Sequence, residues 1–262
     1  MDSISPVPNH RTTPLKPLKW YKKLATQKGR REAEAFLVEG ERAIQQIMGS
    51  SPEAILEIIT VEGLPRAYRD YPVRLVSEKQ FCSITSTRTP QGIMAVVRIP
   101  AETYSGTLPE HMGTGILLLE DIQDPGNMGT LIRTAAAFDF SGVILTEKCA
   151  DPFSPKCVQA TAGSVLSVWL RRTDRYLELV GELRKSGYSL VAAELNGKED
   201  TSILCRQNKL LLALGNEASG LSGTVLKSAD YRLRIPTIRE KAQSLNVAVC
   251  GAICMYLSSQ NK

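Results

Sequence analysis

Apolar residues are arranged along this chain in two ways, as short unbroken runs and as longer stretches in which they recur every three or four positions. The clearest case is residues 115–146. Residues 116–119 are apolar without interruption and end in Glu120-Asp121, the pattern of a strand buried on both faces. Asp124-Pro125-Gly126 turns the chain, and Asn127 is read as the cap of a helix in which Met128, Leu131, Ile132, Ala135 and Phe138 recur at helical spacing. Residues 143–146 then give a second buried strand. In such a unit the turn lies at the carboxyl end of the strand, where open α/β sheets place ligands.

The alternation continues downstream. Pro155 opens a helix, residues 168–171 form a strand, Tyr176–Lys185 a helix and residues 190–193 a strand. Leu210–Leu214 is another buried strand and runs directly into Gly215-Asn216-Glu217-Ala218-Ser219-Gly220. A strand ends at Ile235-Pro236, and Ser244-Leu245-Asn246 opens a last helix that is apolar almost all round, with Val247, Val249, Cys250, Ile253, Met255, Tyr256 and Leu257. A helix without a polar face needs cover on two sides, here the sheet and a second subunit. Upstream, a basic helix from Leu15 leads to residues 36–40. Runs at 55–61, 64–71, 73–76, 78–82 and 93–99 then alternate between strand and helix. This predicts a disordered Pro-rich tail (1–14), a small α/β domain (15–100), a polar linker (101–114) and a larger α/β domain (115–262).

Charge sharpens this picture more than composition does. The net charge of +5 resides wholly in residues 1–35, where eight Lys and Arg face three acids and Trp20 and Tyr21 are interleaved. Basic residues beside aromatic rings suit a nucleic-acid partner, through phosphate contacts and stacking. With only His10 and His111, no histidine metal centre and no Ser-His or Cys-His pair can be assembled. The six cysteines lack any Cys-x-x-Cys spacing and read as reduced thiols. No apolar run reaches membrane-spanning length and no secretory leader opens the chain, so a cytoplasmic protein is expected.

Two positions in the first stretch carry chemistry that packing does not require: Asn127 on the turn and Arg133 inside an otherwise apolar helix. Alone, a cap and a snorkelling side chain would account for them. Gly126-x-x-Gly129 lacks the third glycine of a dinucleotide fingerprint, which argues against a nicotinamide enzyme. Two later stretches change the weight of the pair. Asn127-x5-Arg133-Thr134, then Gly215-Asn216-Glu217-x2-Gly220-Leu221-Ser222, then Ile235-Pro236 followed by Ser244-Leu245-Asn246-Val247 resemble the three motifs of the SpoU (TrmH) family of RNA ribose 2′-O-methyltransferases in order. Residues 15–100, through Gly29-Arg30 and Phe36-Leu37-Val38-Glu39-Gly40, resemble the substrate-binding domain that often precedes that catalytic domain and is similar in fold to ribosomal protein L30e.

The resemblance implies an α/β protein with a SPOUT-type parallel sheet closed by a deep trefoil knot, preceded by a small L30e-like domain, and dimeric through the knotted domain. It implies S-adenosylmethionine as cofactor, held mainly by backbone atoms at Leu214, Gly215, Ile235 and Leu245. It further implies that Asn127, Arg133, Glu217, Ser244 and Asn246 do the catalytic and substrate-orienting work. Arg133 would contact the reacting hydroxyl or an adjoining phosphate, and Glu217 would orient Arg133 or a neighbour. In-line methyl transfer to a ribose oxygen needs alignment and removal of a proton, and no metal or membrane is called for. Structured RNA is the expected substrate, 23S ribosomal RNA ahead of transfer RNA. The competing reading is a non-catalytic RNA-binding or ribosome-assembly protein, and the complete set Asn127, Arg133, Glu217 and Asn246 argues against it. Two features depart from the family pattern: one extra residue and the charged Arg239-Glu240-Lys241 before Ser244, and Gln159 where an arginine is common.

Overall fold

The computed structural model describes residues 16–260 apart from 62, 64, 65, 88, 239 and 242, and divides into two compact units, residues 1–99 and 100–262. The tail expected to be disordered therefore lies outside the described residues. The first unit runs α1 (Leu18–Lys23), α2 (Gln27–Ala33), β1 (Ala35–Glu39), α3 (Glu41–Ser50), β2 (Ile55–Thr60), β3 (Val73–Leu75), α4 (Glu78–Cys82) and β4 (Ile93–Arg98). Its strands form one sheet in the order β1-β4-β2-β3, antiparallel except for the β2–β3 pair. Tyr21, Leu24, Ile59, Phe81 and Met94 fill its core.

The single basic helix expected from Leu15 is two helices. The Thr26 hydroxyl accepts the Gly29 amide at 3.1 Å and so starts α2, while Arg30 turns inward to donate to the Leu24 carbonyl at 2.8 Å. Arg30 is 3% exposed and is not part of a solvated basic face. Helix α3, not among the expected elements, is anchored by only Ile44 and Ile47.

The second unit runs β5 (Gly115–Leu119), α5 (Pro125–Ala137), β6 (Gly142–Leu145), α6 (Pro155–Thr161), β7 (Trp169–Arg172), α7 (Tyr176–Lys185), β8 (Ser189–Lys198), β9 (Leu210–Leu214), α8 (Gly223–Ser228), β10 (Tyr231–Leu233) and α9 (Val247–Ser258). Six strands form an all-parallel sheet ordered β10-β8-β9-β5-β6-β7. Every residue of β5, β6 and β9 is buried, as an unbroken apolar run in a doubly covered parallel sheet requires. Ile116, Leu118, Leu211 and Ala213 pack with Leu179 and Leu183 of α7 and Val225 of α8. On the opposite face α9 lies against α5 and β9, so close that a Cβ on Gly251 would come within 2.4 Å of Leu131 Cδ2 and 2.7 Å of Leu214 Cδ1. Residues 101–114, read as a linker, carry a 3-10 turn at Ala101–Tyr104. Thr103 there is buried, Leu108 and Met112 pack on the core, and the Thr107 carbonyl accepts Arg171 Nε at 2.7 Å.

The strand order decides where a ligand can sit. From β5 the chain winds outward through β6 and β7, then returns to build β8, β9 and β10 on the other side of β5. β5 and β9 are thus neighbours at the topological switch point, and the loops leaving their carboxyl ends meet there.

Packing of α5 on α6 leaves no room for a side chain at Gly129, where a Cβ would lie 2.4 Å from the Cys157 carbonyl oxygen. Gly129→Ala is expected to destabilise the protein by about 1–3 kcal/mol by prising the two helices apart. Gly181→Ala on α7, with nothing within 4 Å of the added methyl, is expected to stabilise it by about 0.5–1 kcal/mol. Urea denaturation of both variants checks the pair.

Candidate active site at the switch point

Asp124, not Asn127, caps α5. Its Oδ1 accepts the Asn127 amide at 2.9 Å, and Pro125 occupies the first helical position, where its missing N–H costs nothing. Asn127 is therefore the third residue of the helix, and its side chain, released from capping, is free to face the β9 loop. Its Nδ2 donates to Glu217 Oε1 at 2.8 Å and its Oδ1 accepts from Asn246 Nδ2 at 3.0 Å. Asn246 in turn caps α9, its Oδ1 taking the Ala248 and Val249 amides at 2.9 and 3.3 Å.

This network fixes every amide orientation. The α9 amides claim the Asn246 oxygen, so the Asn246 NH2 points at Asn127. The Asn127 oxygen is then claimed, so its NH2 points at the carboxylate. Glu217 is the terminal acceptor, and among the described residues no donor is hydrogen-bonded to its Oε2. Three stretches expected from their motifs to act together meet here through side chains 90 and 119 positions apart. Glu217 accepts from Asn127, and no hydrogen bond or ion pair joins it to Arg133 among the described residues.

The remaining residues of the set are placed less tightly. Arg133 is exposed on α5, six residues on from Asn127, which is roughly 9 Å along the axis and a third of a turn round it. Among the described residues it has no hydrogen bond or ion pair, and so none to the Asn127–Glu217–Asn246 trio. Ser244 is exposed in the loop before α9. Leu214 ends β9 and is buried, while Gly215, Ile235 and Leu245 are half-buried. Gly215 is required by the loop itself, since a Cβ there would lie 2.3 Å from the Gly220 carbonyl carbon. Of the charged insertion before Ser244, Arg239 lies outside the described residues. No group of three or more His, Cys, Asp or Glu among the described residues could hold a metal ion, and no helix among them is long and apolar enough to cross a membrane.

Several residues shape the site through contacts that their motifs do not predict. Asn216 folds the β9 loop on itself: its Oδ1 accepts the Ala218 and Ser219 amides at 2.9 and 3.1 Å, and its Nδ2 donates to the Asp121 carbonyl at 2.9 Å. Lys156, from the start of α6, donates to Asp124 Oδ2 at 2.8 Å. Asp124 could have been found, because an Asp directly before Pro at a helix start is a cap signal. The Lys156 and Asn216 contacts have no local signal.

The Lys156 ammonium, followed by the Asn127 amide, lowers the Asp124 pKa below its ordinary 3.8. A depressed carboxylate contributes stability that is present above its unfolded pKa and lost as pH falls through the folded one. The cap is therefore intact at neutral pH and weakens only below about pH 4. Lys156→Ala is expected to move the Asp124 midpoint up toward 3.8 in an NMR titration of the side-chain carboxyl carbon. An unchanged midpoint would show that Lys156 does not act on the cap.

Comparison with known proteins finds relatives of both units. Residues 115–256 match the SpoU rRNA Methylase family, and residues 16–95 match the MRM3-like substrate binding domain. The chain is 32% identical over 243 residues to the 23S rRNA (guanosine(2553)-2′-O)-methyltransferase RlmP of Bacillus subtilis, covering 91% of this chain and 94% of that one. It superposes with a TM-score of 0.80 and 25% identity on the SpoU methyltransferase AviRb of Streptomyces viridochromogenes in complex with AdoMet, covering 93% of this chain and 96% of that one. An AdoMet-bound rRNA methyltransferase from Sinorhizobium meliloti gives a TM-score of 0.79 at 28% identity, with 95% of each chain covered. With a catalytic-domain match over more than half its length and a relative aligned almost end to end, this chain belongs to the SpoU rRNA methylase family.

Proposed function

We propose that this protein transfers a methyl group from S-adenosylmethionine to a ribose 2′-hydroxyl in structured RNA, with 23S ribosomal RNA as the favoured substrate. The observation that carries this reading is the convergence of Asn127, Glu217 and Asn246 at the switch point of a parallel sheet. The methyl donor fits the neighbouring residues. The loop after β10 and the loop before α9 offer half-buried Ile235 and Leu245 as apolar surface, while Leu214 is packed in the core and half-buried Gly215 at the end of β9 can meet a ligand through its backbone. When bound, the cofactor supplies an electrophilic methyl; this chain's residues align the ribose and manage its proton. Asn127 and Asn246 present amide groups to the sugar, and the open oxygen of Glu217 can accept a proton or a hydrogen bond. Arg133, exposed and charged, is suited to an adjoining phosphate or to the developing alkoxide. Requiring a 2′-hydroxyl restricts the substrate to RNA. In the first unit, exposed Lys19, Lys22, Lys23 and Lys28, with Lys16 6.0 Å from the Trp20 ring, provide a phosphate-binding face with a stacking ring.

The same reading includes the trefoil knot and the homodimer. Residues near the end of β8 pass β10 at backbone contact, a Cβ on Gly197 lying 2.5 Å from the Leu233 carbonyl carbon, and Asn246 reaches back to Asn127. Both are consistent with a threaded C-terminal segment. On α9, Val249 and Tyr256 are 49% and 51% exposed and Ala252 and Ile253 lie between them half-buried, an apolar stripe at helical spacing. A second copy of the chain is the cover that stripe needs. Six free thiols suit a reducing cytoplasm.

Labelled S-adenosylmethionine incubated with unmodified large-subunit, small-subunit and transfer RNA tests the assignment. Label in alkali-resistant dinucleotides of large-subunit RNA, reduced at least 100-fold by Arg133→Ala, is the expected result. Label in transfer RNA alone would move the substrate assignment, and no transfer to any RNA would favour a binding protein. Tyr256→Lys is expected to convert a dimer into a monomer by light scattering at micromolar concentration, and a wild-type monomer would contradict the dimer.

A further inference from the structure

The loop that presents Glu217, Gly215 to Ser222, is held at both ends by two consecutive residues of β5's carboxyl end. At one end the Asp121 carbonyl accepts Asn216 Nδ2 at 2.9 Å, in a backbone turned into the left-handed region (Asp121 φ 57°). At the other, the Glu120 carboxylate accepts the Ser222 amide on Oε2 at 2.7 Å and the Tyr176 hydroxyl on Oε1 at 2.9 Å. Glu120 is only 5% exposed. A carboxylate is costly to bury, and here its charge is met by two hydrogen bonds and, among the described residues, by no cation.

The geometry points to Glu120 as a positioning residue of the methyl-transfer reaction: it fixes the far end of the Gly215–Ser222 loop and thereby holds Glu217 against Asn127. Between its two anchors the loop closes on itself, Asn216 and Gly220 exchanging amide-to-carbonyl bonds of 3.2 and 2.9 Å around Glu217. Release of Ser222 would therefore be felt at Glu217, five residues before it and inside the closed turn. Tyr176, at the start of α7, is the second partner. Burial, followed by the Glu120 hydrogen bond, pushes its pKa up to about 12, so it remains a donor throughout the working pH range. Asn216 and Glu120 thus act from opposite ends of one loop, and only Glu120 does so with a charge.

The inference rests on the trio being the reacting centre, and the test separates the two. Glu120→Met keeps the length of the side chain and removes both acceptors, while Glu120→Gln restores an acceptor for the Ser222 amide. Hydrogen exchange, which requires neither RNA nor turnover, should rise at least tenfold in amides 216–222 of Glu120→Met, with the rest of the chain unchanged, and return to near wild type in Glu120→Gln. In methyl transfer, Glu120→Met should lower kcat at least tenfold with S-adenosylmethionine affinity within threefold. The same change made on top of Glu217→Gln should cost less than threefold further, because the loop then has nothing left to position. If Glu120→Met does not fold, Tyr176→Phe takes its place, with a kcat loss of at least threefold that also vanishes in the Glu217→Gln background. Unchanged exchange in 216–222, faster exchange over the whole unit, or an equal kcat loss in both backgrounds would overturn the inference. A wild-type protein that methylates no RNA would defeat the functional reading instead, with the exchange arm still deciding the clamp.

Discussion

Everything at the candidate active site depends on one side chain satisfying two demands at once. Asn127 must donate to a carboxylate 90 residues on and accept from an amide 119 residues on, and an asparagine has one NH2 and one oxygen with which to do so. An aspartate there would repel Glu217, and a leucine would leave both partners unmet. The polarity of the chain is set remotely: the α9 amides orient Asn246, Asn246 orients Asn127, and Asn127 delivers its NH2 to Glu217.

These bonds are not what holds the domain together. Asn246 and Glu217 are exposed, and hydrogen bonds open to water contribute about 0.5–1.5 kcal/mol each. The scaffold is the parallel sheet, whose central strands are buried along their whole length, and the two close helix contacts at Gly129 and Gly251. Burying one Leu or Ile side chain contributes about 1.5–3 kcal/mol, so the core fixes the loops and the polar trio only refines them. The division suits catalysis. A weakly bonded polar cluster in water becomes much stronger when ligands exclude that water, because its geometry is already set.

Much of this was legible in the residues. Unbroken apolar runs located β5, β6 and β9, and the helical spacing of Met128, Leu131 and Ile132 located α5. Asn127 is itself a good capping residue, but Asp124, in the Asp-Pro turn just before it, is the residue that caps α5. Helix α3 is legible in the residues, since Ala43, Ile44, Ile47 and Met48 recur at helical spacing on one face. Strand β8 runs to Lys198, five residues beyond its apolar part, where Lys198 pairs with Leu233 of β10 after a register shift. At the site, the three stretches were found through family resemblance. Which side chain touches which was not, since contacts across 90 and 119 residues depend on strand order, and Arg133 stands apart from the trio within the chain.

Whether the polar cluster around Asn127 methylates a ribose in RNA can be read from an alkaline-hydrolysis ladder of large-subunit ribosomal RNA from cells carrying the intact chain and from cells carrying Asn127→Ala. A single gap, marking one alkali-resistant position, should be present with the intact chain and filled in the variant. Identical ladders from the two strains, with both proteins present at equal levels, would contradict ribose methylation by this cluster.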